Sequence, residues 1–379
     1  MSLASKIRVL HSLEQVNSGG VEKRRLLLAQ RLDPSRFEQR VLCTTATGPL
    51  AHEMEAAGVG VVELGPVRSI FDLPRYVRAA RLIRAWRPDI VHGAVFEGFM
   101  TGVLGARLAG VSHIVVEETS YPTNRSVKGW TLFRLLTSLA DHCVAVSPEV
   151  GRYLVSQRAV DPQKLTVISN GTERPSVPDV ATVHDARAEL GLDPDAFVFG
   201  SVGRMVPDSN KRFDDLIAAL SALREEGCHA QLLLVGDGPD RPRLKDLTLA
   251  AGVEDHVAFA GYQRNVGLMY ALMDAFALAS ERESFGLVVA EAMLAGLPVV
   301  ATRVGGIPNV VSEGITGALV PPFDPRAFAV ALSALARDPD LRSQMGAAGR
   351  ERADRHFSAD RYADDVAAFY EQVVAQVSR

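Results

Sequence analysis

Short apolar segments alternate with longer amphipathic segments from one end of the chain to the other. The apolar segments have the length of buried strands, and several of the segments between them carry apolar residues at helical spacing. Strands are predicted at residues 7–13, 40–44, 61–64, 89–92, 113–117, 142–146, 165–168, 197–202, 231–235, 257–259, 275–279 and 298–302. Helices are predicted between them, for instance at residues 21–32, 72–86, 130–140 and 359–376. This alternation predicts an α/β fold with parallel sheets.

A polar, proline-containing segment at residues 172–180 separates two halves and is predicted to be a linker. We place a first domain at residues 1–172 and a second domain at residues 185–357. Each half has the pattern of an open, doubly wound sheet, and such sheets bind ligands at the carboxyl ends of their strands. Two halves that face each other form a cleft, so we expect the ligand site there.

The most informative stretch, residues 275–302, is predicted to run strand, turn, helix, strand. Its turn leads into a helix N-terminus, where unpaired backbone N–H groups and a partial positive charge suit a phosphate. Gly286 in the turn allows a phosphate oxygen to approach the backbone closely. Glu283 lies before this glycine and Glu291 about one turn inside the helix, so a ribose and a transferable group can each meet a carboxylate. The alternative is an ordinary βαβ unit with two solvated glutamates.

Loops at two other strand ends of the second half carry further candidates. Arg204 and Lys211 follow the strand at residues 197–202 and offer a guanidinium and an ammonium group to a diphosphate. Fixed cations of this kind would stabilise the charge on a departing nucleotide diphosphate. Gly236 lies in a glycine turn after residues 231–235, which we interpret as the wall of a nucleotide pocket. A solvated surface loop and a plain β-turn are the alternatives.

The first half offers weaker candidates. Gly19 and Gly20 form a turn after the first predicted strand, without the spacing of a dinucleotide fingerprint. Their amides can contact a phosphate or the departing oxygen, and a turn that only serves packing is the alternative. His92 ends a strand, where it either acts on a sugar hydroxyl or is a hydrogen-bonded structural residue. Glu117 and Glu118 end the next strand, and at most one of them faces the cleft if the backbone is extended.

Composition narrows the class of protein. The 379 residues are 47% hydrophobic and 23% charged, and a net charge of −4 gives no overall attraction to nucleic acid. No segment reads as a signal peptide or a membrane span, so we expect a cytoplasmic protein. The three cysteines fit a reduced compartment and have no zinc spacing. Two Asp-Pro-Asp sequences are interpreted as turns and helix caps, so no metal site is expected.

Arginines recur at every third residue from Arg75 to Arg87 on a predicted helix. Steps of three residues drift around a helix, so these side chains form a broad basic face rather than a narrow stripe. One interpretation is a solvated surface helix. The other is contact with anionic lipid headgroups, which would suit a membrane-bound acceptor at the inner face of the membrane.

The motifs resemble glycosyltransferase family 4 over nearly the whole chain. Glu283 and Glu291 are the most specific match, because their strand–turn–helix–strand setting fits as well as their spacing. The resemblance implies the GT-B fold, in which two Rossmann-like domains face a cleft and the last helix, residues 358–379, crosses back onto the first domain. It also implies retaining, metal-independent transfer of a hexosyl group from a UDP- or GDP-sugar, with no further cofactor. The acceptor would be a hydroxyl group of a glycan, a lipid-linked glycan or a small molecule.

The resemblance assigns roles to individual residues. Glu291 would bind the ribose hydroxyls, and Glu283 would contact the donor sugar near its reacting carbon. The donor-binding set would be Gly19, Gly20, Arg204, Lys211, Gly236, Ser284, Phe285, Gly286, Leu287, Val288 and Glu291. The catalytic set would be Glu283, Arg204, Lys211 and Glu118.

The chain departs from the family pattern in two ways that concern these roles. The family often has a histidine after the strand at residues 113–117, and here Glu118 stands in for it. The spacing from Arg204 to Lys211 is longer than usual, with residues 208–210 inserted. Two other functions stay open from the sequence: a nucleotide-sugar epimerase of the same architecture and a non-catalytic nucleotide-sugar-binding protein.

Overall fold

A computed structural model describes residues 6–376 of the chain, except residues 18, 68, 70, 121–124 and 208–209. The chain divides into two units. The first unit comprises Met1–Thr172 together with Ala359–Arg379, and the second comprises Glu173–Ser358. Of the last predicted helix, residues 377–379 lie outside the described part.

Strands and helices alternate in both units. The strands are β1 (Ile7–Ser12), β2 (Gln15–Val16), β3 (Phe37–Cys43), β4 (Thr45–Ala46), β5 (Gly60–Glu63), β6 (Ile90–Ala94), β7 (His113–Glu118), β8 (His142–Ala145), β9 (Leu165–Val167), β10 (Phe197–Val202), β11 (Ala230–Val235), β12 (Val257–Gly261), β13 (Ala275–Leu278), β14 (Val299–Thr302) and β15 (Gly317–Val320). The helices are α1 (Gly20–Arg31), α2 (Pro49–Ala56), α3 (Leu73–Trp86), α4 (Phe96–Ala109), α5 (Val127–Leu139), α6 (Pro148–Ser156), α7 (Val180–Glu189), α8 (Phe213–Glu225), α9 (Arg241–Ala250), α10 (Val266–Ala271), α11 (Leu287–Ala295), α12 (Ile307–Val310), α13 (Pro325–Arg337), α14 (Pro339–Phe357) and α15 (Ala359–Ala375).

The first unit is built on a seven-stranded parallel sheet in the order β5-β3-β1-β6-β7-β8-β9, as far as the described residues show. Strands β2 and β4 form a separate small pair. The chain runs outward from β1 to β5 and then returns to β6 on the other side of β1. The strand order therefore reverses between β1 and β6.

The second unit has a six-stranded parallel sheet, within the described residues, in the order β12-β11-β10-β13-β14-β15. Its strand order reverses between β10 and β13. The crevice outside the carboxyl ends of strands at such a reversal is where open α/β sheets bind their ligands. The prediction of an α/β fold with two doubly wound parallel sheets is confirmed.

Helices cover both faces of each sheet, which explains why the strands read as nearly continuous apolar runs. All six residues of β11 are buried. Phe213 on α8 and Phe328 on α13 belong to one core cluster with Leu232 and Leu234 of this strand. Removing each such side chain from water stabilises the fold by roughly 1.5–3 kcal/mol.

Helix α15 completes the core of the first unit. Tyr362, Val366 and Tyr370 on this helix are buried in one cluster with Val9 and Ile90 of the sheet. A 2.7 Å hydrogen bond joins the Tyr370 hydroxyl to Nδ1 of His92. The last helix is therefore an integral part of the unit that begins the chain.

Some boundaries differ from the prediction for physical reasons. Strand β3 begins at Phe37 rather than at residue 40, because its polar residues are paired inside the fold. Gln39 donates to the Leu28 carbonyl and contacts His11, so a polar residue occupies a buried strand position. Helix α5 begins at Val127, three residues early, because the Ser126 side chain caps it. Strand β15 was not predicted as a strand, because it begins at a glycine and is followed by two prolines, residues that are typical of turns.

Helix α3 corrects the predicted basic face. Arg75 is buried and donates to the Gly65 carbonyl at 2.5 Å and to Thr44 Oγ1 at 2.8 Å, so it does not belong to the surface. The next arginine positions along the helix and at its end are exposed: Arg78, Arg81, Arg84 and Arg87. Within the described residues, no helix is both long enough and apolar enough to cross a membrane.

Candidate active site

Two loops flank the strand-order reversal of the second unit, one after β10 and one after β13. Nζ of Lys211 in the first loop lies 2.7 Å from Oε2 of Glu283 in the second. The two side chains are 24% and 19% exposed, so the pair is partly shielded but accessible. The structure thus joins two of the residues that the sequence predicts for one site.

Helix α11 begins directly beyond Glu283. Gly286 is its N-cap residue and has a φ of +94°, in the left-handed region that favours glycine. A Cβ at this position would lie 2.5 Å from Cδ1 of Ile307. The amides of Leu287 and Val288, which are partly exposed, belong to the first turn, where helix geometry provides no intrahelical acceptor. The end of the helix that faces the loops can therefore accept an anion.

The carboxylate of Glu291 is held by a tyrosine that the sequence did not single out. The Tyr270 hydroxyl donates to Oε2 of Glu291 at 2.9 Å and lies 3.3 Å from the Val288 carbonyl. Burial, with a further contribution from the Glu291 charge, raises the pKa of Tyr270 well above its usual value. The phenol therefore stays a donor to Glu291, which itself remains partly exposed.

Backbone packing between neighbouring loops positions Arg204. Its side chain is exposed after β10, and it has no ion-pair partner among the described residues. Gly236 has a φ of +130°, and a Cβ there would collide with the Gly203 carbonyl oxygen. The amide of Met205 donates to the Asp237 carbonyl at 2.9 Å. The glycine turn after β11 thus supports the loop that carries Arg204. That this turn also forms the wall of a nucleotide pocket stays a prediction.

The residues between the two carboxylates contribute mainly backbone. The Phe285 ring is buried and packs edge-on against Phe357, with the ring centroids 5.4 Å apart. The amide of Gly306 donates to the Glu283 carbonyl at 2.8 Å and fixes the turn that also contains Ser284. A ligand would therefore meet the main chain of Phe285 rather than its ring.

The first unit contains a buried ionic cluster where the sequence suggested a site. Glu117 pairs with Arg24 at 3.1 Å, with Arg25, and with His92 at 3.2 Å, and all four side chains are buried. Burial opposes ionisation of Glu117, but the two arginines outweigh it and hold its pKa well below the usual value. Burial, reinforced by Arg25, lowers the pKa of His92 to about 4. His92 is thus a neutral, hydrogen-bonded residue inside the unit. This corresponds to the second of its two interpretations from the sequence, a structural residue.

Glu118 points away from this cluster, as the alternation along a strand requires. Its carboxylate accepts hydrogen bonds from the amide and hydroxyl of Ser120 and pairs with Arg125 at 3.3 Å. Glu118 therefore holds the start of the loop after β7, of which residues 121–124 lie outside the described part. A catalytic role for it stays a prediction.

The glycine turn before α1 is occupied by the chain's own carboxylate. Gly19 is the N-cap residue of α1, and the Glu22 side chain folds back against it. An anion at Gly19 and Gly20 would meet this charge, so contact of these amides with a phosphate stays a prediction. At the end of β6, on the other side of the strand-order reversal, Val95 has a φ of +61°, which a β-branched residue rarely adopts.

One feature of each unit was beyond sequence reasoning. Tyr270 lies in a helix of only six residues, so no periodicity or motif marked its hydroxyl. The strain at Val95 depends on a backbone angle that no residue pattern predicts. Among the described residues, no group of three or more His, Cys, Asp or Glu side chains could hold a metal ion.

Two family models match most of the chain. The family model Glycosyltransferase Family 4 matches residues 18–174, and Glycosyl transferases group 1 matches residues 183–352. A D-inositol 3-phosphate glycosyltransferase from Streptomyces scabiei is 31% identical, over 91% of this chain and 84% of the relative.

Solved structures share the fold at lower sequence identity. A glycosyltransferase from Rickettsia africae gives a TM-score of 0.85 at 20% identity and covers 98% of this chain and 99% of its own. HepE from Anabaena, solved in complex with UDP-glucose, gives a TM-score of 0.82 at 22% identity. The match covers 97% of this chain and 100% of HepE.

Proposed function

Because the chain belongs to glycosyltransferase family 4, and is a glycosyltransferase of the GT-B fold, we propose that it transfers a hexosyl group from a nucleotide diphosphate sugar to a hydroxyl acceptor with retention of configuration. One observation carries the proposal. The contact between Lys211 and Glu283 brings a cation and a carboxylate together at the strand-order reversal of the second unit, next to the N-terminus of α11.

The geometry gives each part of the donor a partner. The diphosphate binds Arg204, Lys211 and the first-turn amides of α11, which supply positive charge. Glu291, held by Tyr270, accepts hydrogen bonds from the ribose hydroxyls. Glu283 contacts the sugar. We propose a uridine nucleotide, since HepE of the same fold was solved with UDP-glucose.

In the proposed reaction, the bond between the anomeric carbon and the β-phosphate oxygen breaks, and the acceptor oxygen bonds to the same face of that carbon. The acceptor proton passes to a phosphate oxygen of the departing diphosphate. Lys211 and Arg204 stabilise the negative charge that develops on this leaving group. In this proposal the two side-chain cations are in place before the bond breaks and take the part that a metal ion would otherwise play.

The test is donor turnover in variants of the two cations. The chain is incubated with UDP-glucose, UDP-galactose, UDP-N-acetylglucosamine or GDP-mannose and with acceptors that include D-inositol 3-phosphate, the compound named for the Streptomyces relative. We expect Arg204→Ala and Lys211→Ala to lower turnover at least about 30-fold, as expected for a lost hydrogen bond to a charged group. Lys245→Ala, in an exposed lysine of α9, is the control and should keep full activity.

Three outcomes would contradict this proposal. Turnover that survives near wild-type levels in both cation variants would remove the diphosphate assignment. Formation of an epimer from the donor alone would favour a nucleotide-sugar epimerase. Donor binding without any transfer, over the whole acceptor panel, would favour a non-catalytic binding protein.

We also propose that helix α3 contacts anionic lipid headgroups, which would place the enzyme beside a membrane-bound acceptor. Phe71 and Leu73, at the start of this helix, are 83% and 63% exposed. Four exposed arginines follow on and after the helix: Arg78, Arg81, Arg84 and Arg87. Apolar side chains beside a basic face match an anionic bilayer surface, where each arginine contributes about 1 kcal/mol to binding.

A further inference from the structure

The loop after β10 contacts the loop after β13 through two consecutive residues, Asn210 and Lys211. The main-chain oxygen of Asn210 accepts a 2.7 Å hydrogen bond from the Glu281 amide. Its side-chain Oδ1 accepts a 3.0 Å hydrogen bond from Nη2 of Arg282. Asn210 therefore joins the loop after β10 to the loop after β13 by both its main chain and its side chain.

Arg212 fixes the other flank of Lys211. Its backbone has a φ of +47° and a ψ of +54°, a left-handed conformation that non-glycine residues seldom adopt. Two 2.7 Å hydrogen bonds join its Nε and Nη2 to the two carboxylate oxygens of Asp215, one turn into α8. The guanidinium also lies 4.5 Å from the ring centroid of Phe323. A planar fork that is paired and stacked in this way has little freedom left.

Phe323 is itself left-handed, with a φ of +62°. Five non-glycine residues with positive φ occur in the described chain, and Arg212 and Phe323 are two of them. Such conformations persist only where surrounding contacts over-determine them, and they cluster at functional sites. Arg212 follows Lys211 directly and stacks on Phe323, and both residues are strained. This arrangement therefore indicates that Arg212 helps to position Lys211 and is not only a helix cap.

Lysine has a long, flexible side chain, so its ammonium group needs help to stay in one place. Here both neighbours of Lys211 are held by hydrogen bonds, and its Nζ lies 2.7 Å from Oε2 of Glu283. We propose that Asn210 and Arg212 are positioning residues that hold the Lys211 ammonium against Glu283, ready for the donor diphosphate. This inference rests on the function proposed above. Neither residue touches the donor, and each acts through Lys211.

The first experiment measures donor binding by titration calorimetry with UDP-glucose, or with whichever sugar nucleotide the wild-type chain binds. We expect Arg212→Gly to raise the donor Kd about tenfold, the loss expected when one charged contact is no longer held. Its melting temperature should stay close to that of the wild type, because glycine relieves the left-handed strain while it removes the fork. Arg158→Gly, in another left-handed arginine (φ +50°) in the first unit, is the matched control and should leave donor Kd unchanged.

The second experiment tests the stack through its ring. Phe323→Leu should raise the donor Kd in the same direction as Arg212→Gly, whereas Phe323→Tyr keeps an aromatic face and should bind the donor like the wild type. Asn210→Ala should raise the Kd by a smaller factor, since the main-chain bond to Glu281 remains. Unchanged Kd values in all three disruptive variants would overturn the inference.

The third experiment does not depend on the donor. A double-mutant cycle with Lys211→Met and Glu283→Gln measures the coupling of this pair in the unfolding equilibrium constant. We expect coupling of a few-fold in the wild-type background and none in the Arg212→Gly background. Equal coupling in both backgrounds would overturn the inference even if donor binding is seen. Absence of binding for every sugar nucleotide, with coupling lost as expected, would instead overturn the proposed function and leave the positioning role supported.

Discussion

The ribose-binding role proposed for Glu291 requires its carboxylate to keep one orientation, and a buried hydroxyl donates a hydrogen bond to it. The Tyr270 hydroxyl reaches Oε2 at 2.9 Å from inside the core of the second unit. Because burial raises the pKa of this phenol, the proton stays on the tyrosine through the neutral range. Glu291 itself is only partly buried, so the tyrosine holds it at the surface of the second unit.

Tyr270→Phe should therefore weaken donor binding more than it weakens the fold. Loss of one hydrogen bond of about 1 kcal/mol corresponds to an increase of about fivefold in the donor Kd. Calorimetric titration of the variant gives this number, and Tyr262→Phe, in a tyrosine that is 70% exposed, is the matched control. A lower melting temperature with an unchanged donor Kd would show that Tyr270 supports the core only.

Single residues differ in how far the sequence revealed them. Glu283 and Glu291 lie in a motif with fixed spacing, and Lys211 lies in a basic loop after a predicted strand, so their neighbourhood could be predicted before any geometry was known. The contact between Lys211 and Glu283 joins positions 72 apart, and only the order of the strands brings them together. The buried partners of Glu117 could not be read from the sequence either, because two arginines of a helix gave no sign that they point inward.

At the scale of elements, uninterrupted apolar or amphipathic segments were predicted well, and segments that contain turn-forming or polar residues were not. Strand β10 has the predicted bounds, and the last helix was predicted to within one residue of its described end. Strand β15 was missed because a glycine begins it and two prolines follow it, and β3 was shortened because a polar residue with a buried partner looks like a loop in sequence. The spacing of apolar residues indicates which positions are buried. It does not reveal a polar residue that is buried because it is hydrogen-bonded.

Helix α3 is a further case, because Arg75 of its predicted basic face is buried and hydrogen-bonded. The exposed arginines that remain allow a test of the proposed lipid contact. We expect the wild-type chain to sediment with vesicles that contain phosphatidylglycerol and much less with pure phosphatidylcholine vesicles, in a salt-dependent way. The double variant Arg78→Gln and Arg81→Gln should lower the partition coefficient about tenfold or more.

The control for the α3 double variant is a second double variant that lowers the net charge by the same amount. Arg326→Gln and Arg337→Gln lie on α13 in the second unit, and both arginines are exposed. If this pair lowers vesicle binding as much as the α3 pair, the attraction is a property of overall charge and the proposed contact through α3 is wrong.

At the scale of the whole molecule, the buried cluster of the first unit makes stability depend on pH. The pKa of His92 is about 4 in the folded chain, against an ordinary value of 6.5. The unfolded chain therefore binds a proton between these values and the folded chain does not, so stability falls as pH drops from about 6.5 to about 4. The loss from His92 reaches about 3 kcal/mol, and burial of His11 acts in the same direction.

Thermal unfolding at pH 7.5 and pH 5.0 measures this effect. The charged and titratable groups of the cluster are His11, Arg24, Arg25, His92, Glu117, Tyr362 and Tyr370. His92→Gln should show a smaller drop in melting temperature between the two pH values than the wild type. His184→Gln, in an exposed histidine of α7, should show the wild-type drop, and an identical drop in all three proteins would contradict the assignment.

Helix α15 lies at the opposite end of the sequence from the sheet it covers, and this order has a consequence during synthesis. Val9 and Ile90 are translated before the second unit, but the side chains of α15 that pack on them follow only after the whole second unit has been translated. Tyr370, which is hydrogen-bonded to His92, arrives with this helix. The part of the first sheet that α15 covers therefore stays exposed during synthesis of the second unit, so we expect the nascent chain to depend on chaperones until α15 has been translated.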